Sequence, residues 1–498
     1  MRKHRQKQIF ELLQTIGEAQ SAGLYADCQE GALSVGAFIE SVEGENNPRI
    51  AGTIASLAEY CELLYGAHKG EVGEKRLRKQ LVRIENAVKS ELAPDRIEIA
   101  FLSYNASMSD SIESIYIAAK EDPVCDAFFV PIPYFEIKQD GSQGVMRYEG
   151  AECYGNDIIC TDWREYDIEA RRPDAIFTFN PYDGGNLVTR VHPDFYCERL
   201  RDLTDMLVYV PYFVTPDDVR EHFCTLAGCV FAHRVIVQSE KVRDAYVRVF
   251  KKAYGSRFGR PEDKFVALGS PKFDKAINTK REDCALPDTW RELIGDKKTI
   301  FYNTCVWAIL AGGERYLKKL RQVLDVFKNR DDVALWWRPH PLSEATYASM
   351  RPQLLAEYKR IVADYRRAGR GIYDDTADLH RAIAWTDAYY GDGSSVAALF
   401  GAAAKPVMFS FTEMESLNGD NYLLSMDKDI WKEDCPAFCD INPQSLSAFV
   451  RCALSCDESE SAAEILKRQI EAFKMCCGNP DGKSGAAIFE RCKRELLS

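Results

Sequence analysis

The ten residues VALWWRPHPL (333–342) leave the chain around them few ways to fold. Val333, Leu335 and Trp337 on one side, and Ala334 and Trp336 on the other, form a nearly unbroken apolar run. Such a run predicts a strand covered on both faces, the central position of a parallel sheet. Pro339 and Pro341 have no N–H to donate, so the ladder is expected to stop there. Arg338 and His340 then fall just past the carboxyl end of a strand, where open α/β sheets bind ligands. A guanidinium supplies a planar donor fork and an imidazole a tunable proton, a pair suited to phosphate. A strand-to-loop turn with its polar residues in water has the same composition, so a second signal is needed.

That signal is AYYGDGSSVAALFGAAAKPVMFSF (388–411): an apolar strand, an Asp-Gly-Ser-Ser turn, a small-residue helix and a second apolar strand. Ser394 and Ser395 are expected at the helix N-terminus, where free N–H groups and the helix dipole favour an anion. Gly391 and Gly393 let the backbone approach a ligand. Capping of the helix by Asp392 or Ser394 would leave the same trace. The two segments in this order predict a nucleotide-diphosphate site.

A chain of 498 residues is expected to form roughly two to four domains. Its 46% hydrophobic and 28% charged content is that of a globular protein. A formal net charge of −12 argues against a general nucleic-acid binder, which needs a basic surface, but leaves room for a local phosphate pocket. No apolar run reaches the roughly 18 residues of a membrane span, and MRKHRQKQIF is followed by polar residues, not by the apolar core of a signal peptide. The 17 cysteines are scattered, without CxxC, and predict reduced buried thiols. The expected location is the cytoplasm.

Residues 1–95 read as helical. Ile9, Leu12, Leu13 and Ile16, then Ile54, Leu57, Tyr60, Cys61 and Leu64, then Leu77, Leu81, Ile84, Val88 and Leu92 recur at helical spacing. Such stripes serve as core against a neighbouring domain, as a dimerisation element or as an interfacial anchor; periodicity does not separate these, and the first is the commonest. Strand and helix then alternate over 96–280, predicting one Rossmann-like domain, and again over 281–478, predicting a second, with 275–298 read as the linker. Helices are expected at 443–455 and 461–477, and residues 479–498 are expected to form a last helix packing back on the fold. The predicted class is α/β, two doubly wound domains facing across a cleft with a helical N-terminal region.

The ordered set GSPKFD (269–274), WWRPHPL (336–342), DGSSV (392–396), GAAAKPVMF (401–409) and NPDGKSG (479–485) resembles the CDP-glycerol glycerophosphotransferase family, GT-B-fold polymerases and primases of teichoic-acid-type polymers. The resemblance covers about residues 97–498. It implies transfer of a glycerol-phosphate, or related alditol-phosphate, unit from a CDP-linked donor to the hydroxyl of a polymer, glycan or lipid-linked acceptor, with release of CMP. Arg338 and His340, with Asp392, Gly393, Ser394, Ser395, Lys405 and Lys483, would hold the donor diphosphate. No cofactor and no metal is called for. Peripheral contact with the inner face of the membrane and homo-oligomerisation are both compatible with it.

The chain also departs from the family. The Trp-His-Gly-Thr segment of many members is missing, and FNPYDGGNLVTRVHPDFY (179–196) stands in its place. His192 is its candidate general base, with Asn180, Tyr182, Asp183 and Asn186 shaping an acceptor pocket. A hydrogen-bonded loop histidine in a polar loop reads the same way. Asp374-Asp375 and Asp217-Asp218 look like solvated pairs. Two rivals stay open: a GT-B glycosyltransferase using a nucleotide-sugar, and a degenerate relative that only binds partners.

Overall fold

The computed structural model describes residues 1–138, 140–215, 219–410, 439–440 and 477–498, with the single positions 446, 450, 467 and 471 between. Apart from those single positions and residue 477, the helices expected at 443–455 and 461–477 lie outside the described residues, as does the pair Asp217-Asp218. Strands β1 (Ile97–Ser103), β2 (Cys125–Pro131), β5 (Ala175–Thr178), β7 (Met206–Tyr209), β8 (Arg234–Val237) and β9 (Phe265–Ala267) form one parallel sheet in the order β2-β1-β5-β7-β8-β9. Between them, β3 (Tyr134–Ile137), β4 (Gln143–Arg147) and β6 (Thr189–Val191) make a small antiparallel sheet. The second parallel sheet holds β10 (Lys298–Thr304), β11 (Val333–Pro339), β12 (Ile372–Tyr373), β13 (Ala388–Gly391), β14 (Val407–Ser410) and β15 (Cys439–Asp440), in the order β12-β11-β10-β13-β14-β15. In each sheet the strand order reverses beside the first strand, at β1/β5 and at β10/β13. Ligands of open α/β sheets bind at such switch points, beyond the carboxyl ends of the strands.

The sequence of β11 explains its place. Val333, Leu335 and Trp337 enter one core with Tyr302, Tyr358 and Tyr390, and Trp336 enters another with Phe301, Tyr389 and Phe400. Both faces are covered, as the apolar run predicts. The first proline does not end the ladder, however: Pro339 pairs with Thr304, and the His340 N–H donates to the Thr304 carbonyl at 2.8 Å. Successive N–H groups of a strand point to opposite sides. The missing donor of Pro339 therefore faces the β12 side, where the paired segment has already ended at Tyr373.

The N-terminal region is a bundle of α1 (Lys3–Ser21), α2 (Tyr25–Glu43), α3 (Ala51–His68) and α4 (Glu74–Glu91). Its apolar stripes pack on each other, with Ile9, Leu13, Val35, Ile39, Tyr60, Leu64, Leu77 and Ile84 in a core of their own. This differs from the commonest reading of such stripes, burial against the next domain. The tie to that domain is polar. Arg2 meets Asp174 at 3.0 Å and Glu98 at 2.9 Å and donates to the carbonyls of Arg171 and Arg172. Glu98 lies near the start of β1 and Asp174 just before β5, so the bundle joins the end of the sheet opposite the switch point. Among the described residues no helix is long and apolar enough to cross a membrane.

The stretch 275–298, expected as the linker, carries helical segments. Pro271–Asn278 and Asp288–Ile294 are helical, and Phe273, Ala276, Leu286 and Ile294 are buried against the second sheet's core. Helix Pro271–Asn278 is the junction. Asp274 accepts from the N–H groups of Ser484 and Gly485, at 2.9 and 2.7 Å, and from Ser114 Oγ at 2.8 Å. It thereby satisfies the amino end of the last helix, Ser484–Leu497. That helix returns to the first sheet, burying Ile488, Phe489, Cys492 and Leu496 in its core. Gly269 (φ +91°) sits so close to Ser484 and Asn479 that a Cβ would come within 2.3 Å of Ser484 Oγ.

Candidate active site

The register of the second sheet brings the two predicted loops together. Asn303, near the end of β10, is paired with Arg338 of β11 on one side and with Gly391 of β13 on the other. Only β10 separates the Arg338-His340 loop from the Asp392-Ser395 loop. The Asn303 amide reaches across the gap, donating to Ser394 Oγ at 3.0 Å and to the Tyr389 hydroxyl at 3.1 Å. Gly391 (φ +148°) is obligatory, because a Cβ there would lie 2.2 Å from the Asn303 carbonyl oxygen.

Arg338 is mostly buried, and its Nη1 donates to Asp374 Oδ2 at 2.7 Å. Asp374 is fully buried and also accepts from Trp336 Nε1 at 2.9 Å and from the Thr376 N–H and hydroxyl at 3.0 and 2.6 Å. The guanidinium is thus aimed by a carboxylate that is itself fixed, and its other donors have no partner among the described residues. This corrects the reading of Asp374-Asp375 as a solvated pair: Asp375 is exposed on Arg366, whereas Asp374 is the clamp.

His340 is exposed, yet the protein around it lowers its pKa below the ordinary imidazole value. Its Nδ1 accepts from the Leu342 N–H at 3.1 Å. In the neutral ring the proton is then on Nε2, which leaves a hydrogen-bond donor facing outward. Ser394 caps helix Ser395–Ala402 by accepting from the Val396 N–H at 3.2 Å, and its hydroxyl lies 3.5 Å from that of Tyr389. Ser395 is the first residue of that helix, half-buried at its amino end. The indole of Trp307, 39% exposed at the same edge, donates to the Gly393 carbonyl at 3.1 Å. Nothing in the local sequence marks it as part of the site.

Other predicted residues are turned elsewhere. Asp392 is buried, accepting from the Cys305 N–H at 2.6 Å and the Tyr316 hydroxyl at 2.7 Å, and burial raises its pKa to about 7. It braces the loop after β10 and does not face a phosphate. Lys405 donates to the carbonyls of Ile383, Ala384 and Thr386, closing the carboxyl end of helix Leu379–Trp385, and burial lowers its pKa to about 8. Lys483 is exposed where Gly482 meets Asn278 of the junction helix.

In the first domain, Asp183 is buried and caps helix Cys197–Leu200, accepting from the N–H groups of Cys197 and Glu198 at 2.8 and 3.3 Å. Asn186 closes its own turn by accepting from Val188 and Thr189, and Asn180 is buried with its side chain on the Tyr182 N–H. Tyr182 is half-buried and bonds through its hydroxyl to the Tyr212 hydroxyl at 2.7 Å. His192 stands among Phe135, Trp163 and Phe195, with Nδ1 3.3 Å from Asp194 Oδ2. A further group went unread. Asp110, in the loop after β1, binds Lys272 of the junction helix at 2.5 Å and His380 Nε2 at 2.9 Å, joining the two sheets' loops through one buried carboxylate held below the usual carboxylate range. Among the described residues no three His, Cys, Asp or Glu side chains are placed to hold a metal.

No family profile and no curated protein matches the sequence. Solved structures do. A putative UDP-N-acetylglucosamine 2-epimerase from Listeria monocytogenes superposes with a TM-score of 0.50 at 14% identity, over 80% of this chain and 96% of that one. MnaA of S. aureus, in complex with UDP, gives 0.46 at 11% identity over 80% and 97%. The wall teichoic acid polymerase TagF gives 0.47 at 13% identity over 89% and 98%. The first score, with the two parallel sheets, establishes a GT-B-like fold; the other two stand below 0.5 and carry no argument. At these identities the likeness concerns the fold and leaves the chemistry to the residues.

Proposed function

We propose that the protein is a transferase that moves a glycerol-phosphate, or related alditol-phosphate, unit from a CDP-linked donor to an acceptor hydroxyl, releasing CMP, in the making of a cell-surface polymer or glycan. The observation that carries this reading is the convergence of the Arg338-His340 and Ser394-Ser395 loops on Asn303 at the switch point. A clamped guanidinium, an outward imidazole N–H, a hydroxyl and a helix amino end there suit a diphosphate. The alditol-phosphate rests on the motif order shared with the CDP-glycerol glycerophosphotransferase family.

In the reaction an acceptor oxygen attacks the β-phosphorus, forming one P–O bond while the bond to the bridging oxygen breaks and CMP takes the electron pair. Such a transfer is mostly positioning and charge stabilisation. Arg338 and His340 neutralise the charge that gathers on the bridging oxygen. His192 takes the hydroxyl proton through Nε2 in the tautomer whose Nδ1–H faces Asp194 Oδ2, 3.3 Å away, and not in the one in which Nδ1 accepts from the Asp194 N–H. Trp307 offers the donor base an exposed ring.

Thermal stabilisation of the full chain by CDP-glycerol, CDP-ribitol, UDP-sugars and GDP-sugars tests this, since a ligand of the native state raises the melting temperature by mass action. Stabilisation by a CDP-alditol, lost in Arg338→Lys, is expected. A shift with UDP- or GDP-sugars and none with CDP-alditols would replace this reading by sugar transfer.

A further inference from the structure

The carboxyl ends of the first sheet carry a tyrosine beyond each of four neighbouring strands. In the spatial order β2-β1-β5-β7 these are Tyr134, Tyr104, Tyr182 and Tyr212. The rings form two contacting pairs, set side by side by the strand order. Tyr134 and Tyr104 lie with centroids 5.7 Å apart, and Tyr182 and Tyr212 are 6.2 Å apart with bonded hydroxyls. Phe213 and Phe223 extend the second pair, at 5.3 Å from Tyr212 and 4.4 Å from one another. Tyr104 is buried as the floor, while Tyr134, Tyr182, Tyr212, Phe213 and Phe223 are half-buried. Three strand spacings make the row about 14 Å long, the reach of a short oligosaccharide.

The charges beside it are of both signs, Glu149 and Glu136 with Arg147 and Arg190. Glu149 accepts from the Tyr134 hydroxyl at 3.1 Å and from the Ala106 N–H at 2.7 Å. Arg147, across the hairpin from Tyr134, is held by Glu136 at 2.8 Å, and Arg190 turns its Nε to the Asn186 carbonyl. Among the described residues no lysine or arginine is hydrogen-bonded to any of the four tyrosines. A poly(alditol phosphate) carries a negative charge on every unit and would lie beside Glu149, with Arg147 already paired to Glu136 and Arg190 left as a single cation against a repeating anion. A pyranose has apolar C–H faces and hydroxyls at its rim. Aromatic rings with a few convergent polar groups suit such a ligand, the rings supplying contact area and the hydroxyls and carboxylate fixing orientation.

We propose that this row is the acceptor subsite, and that it takes a neutral oligosaccharide whose pyranose faces lie on Tyr134, Tyr182 and Tyr212. The inference rests on the transferase reading for the direction of the cleft. It adds that the group moved is added to a glycan, not to a growing polyanion.

The test is saturation-transfer NMR on the full chain with cellotriose, chitotriose and a glycerol-phosphate trimer, with CDP-glycerol binding followed in the same preparation by melting temperature. At least one neutral trisaccharide should receive saturation, and the Tyr182→Ala/Tyr212→Ala double variant should bind it ~10-fold more weakly, the loss of two ring contacts. Tyr182→Phe, which keeps the ring, should bind within a few-fold of the native protein, and matched melting temperatures show that each variant is folded. Saturation of the glycerol-phosphate trimer alone, of no probe at all, or of sugars equally in the double variant would overturn the proposal. Sugar binding without CDP-glycerol binding would sink the transferase reading and leave the row standing. CDP-glycerol binding without sugar binding would do the reverse.

Discussion

At the carboxyl end of the second sheet, polar groups are each held by a partner beneath them: Arg338 by Asp374, Ser394 by Asn303, His340 by the Leu342 N–H. At the carboxyl end of the first sheet the surface is made of rings, and the polar groups of its loop face inward, Asp183 onto a helix and Asn186 onto its own turn. The two ends have the same backbone design and opposite chemistry. A diphosphate needs fixed donors, because flexible ones would have to be ordered on binding. A neutral acceptor needs shape and apolar area. The contrast ties the charged step to one sheet and the choice of acceptor to the other.

Removing the buried half of the arginine clamp should have the largest effect. Asp374→Ala leaves a mostly buried guanidinium and the Trp336 Nε1–H unpaired and should lower stability by ~3–5 kcal/mol, read by denaturant unfolding. A loss under 1 kcal/mol would mean that the second sheet's end is not rigidly built. Arg338→Lys keeps the charge and loses the fork. Transfer from CDP-glycerol should fall about 10- to 100-fold with a small change in melting temperature, as for the loss of a charged hydrogen bond of ~1.5–3 kcal/mol. Unchanged turnover would place the donor elsewhere.

Lys405→Gln sharpens the comparison from the other side. It should cost ~1 kcal/mol in stability, from the freed helix carbonyls, and leave kcat within twofold. A large kcat loss with intact stability would return Lys405 to the site. The smallest effect concerns pH. Burial raises Asp392 to about 7 in the folded chain, above its unfolded value of roughly 3.9. The folded state therefore binds the proton more tightly. This contribution to stability is full below the unfolded pKa and is lost as pH rises through about 7. Asp392→Asn, which still accepts from Cys305 and Tyr316, should flatten the fall in melting temperature between pH 4 and 7. An unchanged slope would assign it to other groups.

How much was legible follows from what each signal measures. The alternating apolar runs announce two parallel sheets because burial on both faces leaves its mark in every strand, as in β11. The Gly-Ser-Ser turn was readable because backbone conformation and helix capping restrict residue type. Asp374 was misread because its partner depends on which strand lies beside β11, which one sequence does not state. Asp110 and His380 stand 270 positions apart in the chain and meet through the domain arrangement. Lys405 and Asp392 carry the residue types of a phosphate site and serve as a helix closure and a brace, since composition does not reveal the direction of a side chain. The tyrosine row was hidden for the same reason: its members are single residues beyond the ends of four separate strands, adjacent only in strand order.

The central claim is that the Arg338-His340 and Ser394-Ser395 loops hold one diphosphate between them. A density map of the full chain with CDP-glycerol bound tests it most directly. The account predicts the diphosphate within hydrogen-bonding distance of the Arg338 guanidinium on one side and of Ser394 Oγ or the Ser395 N–H on the other. A diphosphate bound away from either loop, or reaching one and not the other, would contradict it.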